Sequence, residues 1–358
     1  MIFEILLSLL GFFLALLLCY IVLPFIMKSA KEAQMVTVDA HKPGKPEITE
    51  PGGLGALIAF FGAYSFIILI SVVIYYIILD KSFYNALKFF QNQNFREVIT
   101  SLYNNKVVFL GALLSVVIAG FLGFLDDIFG ITFKWRHKIL IGFLPAVPLM
   151  ILKAGTASVT LPFLGAMTFG LWYSLLIVPL EVNFGFNSVN MLAGYNGLET
   201  GMGIVSFITV FLASVFVDNV GIMIFSATML GALVIQFWFN KYPAKTLIGD
   251  SGTLMMGTAL IVAIIIANME RLAIAIFLLY LINFLLFFVY LKTKQTKKLA
   301  DINVMSDGTV YLKPPCPYTV YWFFPYYRNM TEKQNVYFLI ALQSIICFIG
   351  LILFVVFN

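Results

Sequence analysis

The sequence predicts an all-α polytopic integral membrane protein, and three observations lead there. Of its 358 residues, 61% are hydrophobic and only 11% are charged, whereas soluble domains carry about a quarter charged residues. Mean hydropathy is +0.99. The apolar residues also gather into runs of roughly 20, the length that crosses a bilayer as a helix. No long polar segment divides the chain, so a single transmembrane domain over 1–358 is expected. The net charge of +5 reads as loop charge, which argues against nucleic acid as a partner.

About ten transmembrane helices are expected, near 3–27, 53–79, 107–125, 138–152, 169–186, 201–217, 221–239, 249–268, 270–291 and 335–357. The first, MIFEILLSLLGFFLALLLCYIVLPFIM, is too long for the apolar core of a signal peptide. It lacks a basic leader and an A-x-A cleavage site, so it reads as a retained helix. Between the fourth and fifth spans, KAGTASVTLPFLGAMTF mixes small, β-branched and turn residues, the pattern of a small extracytoplasmic β-hairpin. Cys19 and Cys347 lie in apolar spans and Cys316 in a polar loop, which gives neither a disulfide framework nor a CxxC metal site.

Charge orients the stack. The loops at about 28–52, 126–137, 187–200, 240–248 and 292–334 hold most of the 22 Lys and Arg, including Lys134, Lys294, Lys297 and Lys298. The opposite loops hold few, Lys81 and Lys88 among them. The positive-inside rule makes the first set cytoplasmic and both termini extracytoplasmic. The unusual polar residues then collect at cytoplasmic helix ends, and an active site on that face is expected.

FLGFLDDIFG, residues 121–130, sets Asp126 and Asp127 at the end of an apolar run. A charge in hydrocarbon costs several kcal/mol by most scales. Adjacent helical residues point about 100° apart, so both cannot face lipid cheaply. The pair can hold a divalent ion, take a proton or orient a basic partner; the plainer reading is a helix-terminal acid pair in water. WRHKILIG, 135–142, places Lys138 at a helix start, suited to a phosphate or simply to anchoring the chain at the cytoplasmic surface beside Trp135.

FNSVNMLAGYNGLETG, 186–201, puts Asn187, Asn190, Asn196 and Glu199 between two spans. Amide oxygens suit a hard cation or a polar ligand, although Asn and Gly are also ordinary turn residues. FNKYPAKTLIGDSGTLMMG, 239–257, carries Asn240 and sets Asp250 just inside a helix. Asp250 could hold a metal there, or Asp250 or Ser251 could cap the helix. In DAHKPGKPEITEPGGLGA, 39–56, Lys42, Lys45, Glu47 and Glu50 could reach a nucleotide or merely set topology. The two histidines, His41 and His137, are too few for a His-rich metal cluster. Jointly, four polar clusters on one face can hold Mg²⁺ and a pyrophosphate. A transporter would instead place acids near the midplane and show inverted repeats; a lipid-binding scaffold without turnover is the third class.

HKPGKPEITEPGGLG, GFLDDIFG, KWRHKIL, NSVNMLAGYNGLETG and FNKYPAKTLIGDSG together resemble the polyprenyl-phosphate N-acetylhexosamine-1-phosphate transferases, in family order over nearly the full chain. That family includes the bacterial phospho-N-acetylmuramoyl-pentapeptide translocase and the dolichyl-phosphate GlcNAc-1-phosphate transferases. The resemblance implies transfer of a sugar-1-phosphate from a UDP-sugar to a lipid phosphate, with release of UMP. It implies Mg²⁺, for which Mn²⁺ could substitute, on Asn190 and Asp250. Asp126, Asp127 and Lys138 would sit at the reacting end. Lys42, Glu47, Asn187, Asn196, Glu199, Asn240 and Arg328 would contact substrate. A homodimer is compatible with the family.

The translocase type carries histidines in the last cytoplasmic loop, and here 292–334 has none. The other motifs look closer to the dolichyl type, which favours UDP-GlcNAc and dolichyl phosphate. The membrane would be the archaeal plasma membrane or the eukaryotic endoplasmic reticulum, and the product would feed N-glycosylation. Where the dolichyl group has basic residues after Pro-Cys-Pro, this chain reads PPCPYTVYWFFPYYRN with Arg328 alone nearby, so UDP-GalNAc or another sugar for a cell-surface polymer is the alternative.

Overall fold

Long apolar runs settle into helices because no water is present in a bilayer to satisfy an open backbone. The computed structural model describes residues 1–80, 92–129, 135–161, 165–293 and 300–357. Lys81, Lys88, Lys134, Lys294, Lys297 and Lys298, used above for orientation, lie outside the described residues. Among those described, eight helices are long and apolar enough to cross a membrane, or nine if a bent pair counts as one span.

Helix α1 is Ile2–Glu32 and α2 is Gly53–Leu79, joined by a two-stranded antiparallel ladder of β1 (Val36–Val38) and β2 (Glu47–Thr49). A surface helix, α3 (Gln93–Asn104), precedes α4 (Lys106–Phe129). After α4 come α5 (Trp135–Ile141), a single 3₁₀ turn at Leu144–Ala146 and α6 (Val147–Leu152). The hairpin expected before the fifth span is present as β3 (Ser158–Leu161) against β4 (Gly165–Thr168). A π-helical turn, Tyr173–Ile177, leads into α7 (Val178–Leu192), followed by α8 (Leu198–Phe216), α9 (Val220–Asn240) and α10 (Gly249–Ala267). The chain ends with α11 (Glu270–Ile276), α12 (Leu278–Lys292), the hairpin β5 (Asp301–Val304) and β6 (Val310–Lys313), α13 (Val320–Tyr327) and α14 (Glu332–Phe357).

Helix α10 is the centre: it packs on α4, α7, α2 and α8, and nearly every one of its residues is buried. Close approach to α4 needs Gly123, where an added Cβ would stand 2.3 Å from the Asp250 carbonyl oxygen. Helices α1, α2 and α9 pack together on one flank, and α14 covers α8 and α11.

Three expectations change. The fourth span, 138–152, is not one continuous helix. Pro145 and Pro148 each remove an N–H donor and clash with the preceding turn, which breaks it into α5, the 3₁₀ turn and α6. The freed Ile139 carbonyl accepts from Asn183 Nδ2 at 2.6 Å. The ninth span bends by 62° between α11 and α12. The carbonyl of Ile276 at that bend accepts from Gln343 Nε2 of α14 at 2.8 Å, so the break leaves no orphaned acceptor there. The 187–200 segment is largely helical rather than loop, since α7 runs to Leu192 and α8 begins at Leu198.

Candidate active site

Asp126 and Asp127 lie in the last turn of α4 and, being adjacent, diverge around its axis. Asp126 Oδ2 accepts from Lys138 Nζ of α5 at 2.8 Å. The same ammonium pairs with Asp250 Oδ2 at the start of α10. Asp250 Oδ1 in turn accepts from Asn190 Nδ2 of α7, which also reaches Thr253 Oγ1 at 3.0 Å. Lys138 is thus shared between two carboxylates brought from α4 and α10. This cluster stays half-open: the Lys138 and Asp250 side chains are 18% and 25% exposed.

Asp127 turns the other way. Its Oδ1 accepts from the Asp250 backbone N–H at 2.7 Å and its Oδ2 from that of Ser251 at 3.0 Å. The cap of α10 is therefore supplied across the bundle by Asp127, not by Asp250 or Ser251 as local sequence suggests. A carboxylate is well suited to those orphan donors at the positive end of a helix. Both of its oxygens are engaged by backbone, the arrangement of a brace for the first turn of α10.

Glu50, just before α2, belongs to the same neighbourhood. Burial, followed by the nearby Asp250 and Asp126 carboxylates, pushes its carboxyl above the usual range. Three carboxylates, Glu50, Asp126 and Asp250, thus act on one lysine.

Beside this cluster opens a cavity of about 460 Å³ between α7, α12 and α13. Lys138, Asn187 and Asn190 stand on its wall, and Phe184, Phe287 and Trp322 make its apolar part. Asn187 donates to the Asn183 carbonyl at 3.0 Å. Asn283 of α12 ties the wall together, donating to the Met191 carbonyl and accepting from the Val320 N–H.

The remaining predicted residues go elsewhere. Lys42 and Asn196 enter a buried brace: Lys42 Nζ bonds Asp39 Oδ1 at 3.2 Å and pairs with Glu332 Oε2 of α14. Asn196 Nδ2 reaches Asp39 Oδ2 and its backbone N–H reaches Glu332 Oε1, both at 2.8 Å. His41 packs edge-on against Tyr195 beside it. Buried Glu199 accepts from the Gly194 N–H at 2.7 Å and holds its own turn. Asn240 accepts from the Gly197 N–H and donates to the Thr246 carbonyl, each at 3.1 Å. Glu47 is an exposed strand residue opposite Val38. Arg328 sits at the end of α13, in a different cavity. For Lys42, Asn196, Glu199 and Asn240 the fold's own partners take polar atoms that a ligand would need, whereas Glu47 and Arg328 are exposed and stand apart from the Lys138 cluster. Asp39, Glu332, Asn183 and Thr253 were missed in the sequence, where each reads as an ordinary loop or helix residue.

Among the described residues no group of three His, Cys, Asp or Glu side chains could hold a metal. The donor chemistry nonetheless fits a divalent cation, because Glu50, Asp126, Asp127 and Asp250 outweigh Lys138. Mg²⁺ characteristically takes one or two protein ligands and completes its shell with water and substrate phosphates, and Asp250 with Asn190 is such a pair.

Residues 109–268 match glycosyl transferase family 4. A Saccharolobus solfataricus protein, named as a candidate UDP-N-acetylglucosamine–dolichyl-phosphate N-acetylglucosaminephosphotransferase, is 32% identical over 98% of each chain. The Saccharomyces cerevisiae enzyme of that name is 26% identical over 74% of this chain and 62% of its own. The phospho-N-acetylmuramoyl-pentapeptide-transferase of Clostridium perfringens is 32% identical over 48% of this chain and 57% of its own.

Proposed function

The chain belongs to glycosyl transferase family 4, and on that premise we propose that it transfers N-acetylglucosamine-1-phosphate from UDP-GlcNAc to a polyprenyl phosphate such as dolichyl phosphate. UMP leaves, and polyprenyl-diphosphate-GlcNAc remains in the membrane. The observation that carries this reading is Lys138, shared by Asp126 and Asp250 where a polar cluster meets an apolar cavity. A lipid phosphate has the same two halves. Its chain fits beside Phe184, Phe287 and Trp322, and its phosphate falls to Lys138.

In the step itself, an oxygen of the lipid phosphate attacks the β-phosphorus of UDP-GlcNAc, and the bond from that phosphorus to the bridging oxygen breaks. The electron pair departs on UMP. A phosphate monoester has a second pKa of about 6, so the nucleophile is already largely dianionic near neutral pH. No strong base is required, and positioning with charge neutralisation supplies the acceleration. Lys138 holds the acceptor phosphate, and Asp126 and Asp250 aim Lys138. Asn190 and Asp250 would hold Mg²⁺, or Mn²⁺ in its place, which neutralises pyrophosphate charge when bound. Asp127 fixes the first turn of α10, and with it the carboxylate of Asp250. Acids at helix ends also fit an enzyme on a bilayer face better than a carrier with acids at its midplane. The positive-inside pattern supports a cytoplasmic location for that face, with both termini outside.

The test uses purified protein in detergent with Mg²⁺ and dolichyl phosphate, offered UDP-GlcNAc, UDP-GalNAc or UDP-MurNAc-pentapeptide in parallel. UMP release and the mass of the lipid product are followed. Turnover with UDP-GlcNAc alone is expected. Turnover with UDP-GalNAc alone would reassign the sugar, and none with any donor in folded protein would overturn the reading.

A further inference from the structure

Helix α13 separates two cavities. Tyr321 and Trp322 face the one that contains Lys138. Phe323, Phe324 and Tyr327 face another, of about 650 Å³, closed on its far side by Gln334 and Phe338 of α14. This outer cavity takes no part in the chemistry above.

Its lining changes from polar to apolar along α14. Arg328, Asn329 and Gln334 lie where α14 enters the bilayer, near residue 332. Phe338 is about 9 Å deeper, at 1.5 Å per helical residue, and stacks edge-on with Phe324 at 4.6 Å. Tyr327 is exposed at the rim, as expected of an interfacial aromatic. Arg328 is exposed, and its guanidinium has no ion-pair partner among the described residues. The walls are held independently of any ligand: the Leu312 N–H donates to the Met330 carbonyl at 2.9 Å, and Asn335 Nδ2 to the Tyr321 carbonyl at 2.8 Å.

We propose that this outer cavity is a binding site for one anionic phospholipid. The headgroup phosphate rests on Arg328, and a chain runs down past Phe324 and Phe338. An unpaired guanidinium above a greasy slot at the membrane surface complements a phosphodiester above a hydrocarbon chain. Phosphatidylcholine carries the same phosphodiester, but its choline cation competes with the guanidinium for it and is repelled by it, and a soluble anion gains only the polar half of the match.

The full chain, reconstituted in nanodiscs of phosphatidylcholine mixed with phosphatidylglycerol, would be released into native mass spectrometry and its retained lipid counted. Wild-type protein is expected to keep one phosphatidylglycerol in preference to phosphatidylcholine. Arg328→Gln should lower that retention about tenfold, the scale of one charge-assisted phosphate contact. Arg328→Lys should restore part of it, and Phe338→Ala should lower it with Arg328 intact. Added inorganic phosphate should not displace the lipid. Equal retention of both lipids, unchanged retention in Arg328→Gln, or displacement by inorganic phosphate would each overturn the proposal. The measurement needs no turnover, so its failure is separate from any failure of the transferase reading.

Discussion

Two lysine–carboxylate clusters sit near the same ends of the bundle, and they are built to opposite rules. Around Lys42, all four oxygens of Asp39 and Glu332 are taken: two by the ammonium, one by the Asn196 side chain and one by its backbone. The Lys42, Asp39 and Glu332 side chains are no more than 9% exposed. Around Lys138 the cluster is open and carries surplus negative charge. A closed, satisfied network fixes geometry; an open, unbalanced one is poised for a cation and a phosphate. A lysine beside two acids is therefore not a functional signal by itself, and exposure of the cluster is what separates the two.

The sharpest way to break this contrast is to remove charge from each cluster and read different quantities. Asp250→Asn keeps size and removes the charge that meets Lys138. We expect kcat to fall about 10³-fold, on the scale of losing one preorganised electrostatic contact. The thermal midpoint in detergent should barely move, and comparable activity in folded variant would remove Asp250 from the site. Lys42→Met should do the reverse. It leaves Asp39 and Glu332 buried without their cation, which costs about 3–5 kcal/mol of stability. A lowered midpoint with near-normal kcat/KM in the surviving folded fraction is expected.

His41 sharpens the contrast through pH. Burial first, then the charge of Lys42, lowers its pKa from the ordinary 6.5 to about 4. Between those values the unfolded chain binds a proton that the folded protein refuses. The His41 contribution to stability is thus intact above about pH 6.5 and is lost as pH falls toward about 4. The loss is on the order of 3 kcal/mol. Thermal midpoints of wild type and His41→Gln across that range should converge at low pH; parallel curves would mean that His41 titrates normally.

Much of the open cluster was legible in the sequence. Asp126, Asp127, Lys138, Asn190 and Asp250 are polar residues at the ends of apolar runs, where charge needs a reason. The closed cluster was not. Lys42 and Glu332 are 290 residues apart, and no local pattern says which loop covers which helix end. The same limit misread Asn196, Glu199 and Asn240, whose amides and carboxylate looked free because their backbone partners arrive only on folding. Hydropathy also overruled Pro145 and Pro148 in the fourth span, although both breakers are plainly present. The bend between α11 and α12 had no such marker: its polar partner, Gln343, lies on another helix.

Asp127 is where the two rules meet, and it gives the smallest expected effect. It lies beside Asp126, yet its oxygens are saturated like those of the closed cluster. Asp127→Asn keeps one good acceptor for the α10 amides and turns a donor toward the other. The loss should resemble that of a weakened helix cap, about 1 kcal/mol. Activity should fall about tenfold, because Asp250 rides on that first turn, and the KM for the UDP-sugar should rise along with the fall in kcat. Asp127→Ala, which uncaps the turn, should be worse than Asp127→Asn. If Asp127 were instead a base, Asn and Ala would be equally inactive, and both would fall as far as Asp250→Asn. The ratio of the two Asp127 variants, measured by UMP release at fixed Mg²⁺, therefore decides between a brace and a proton acceptor.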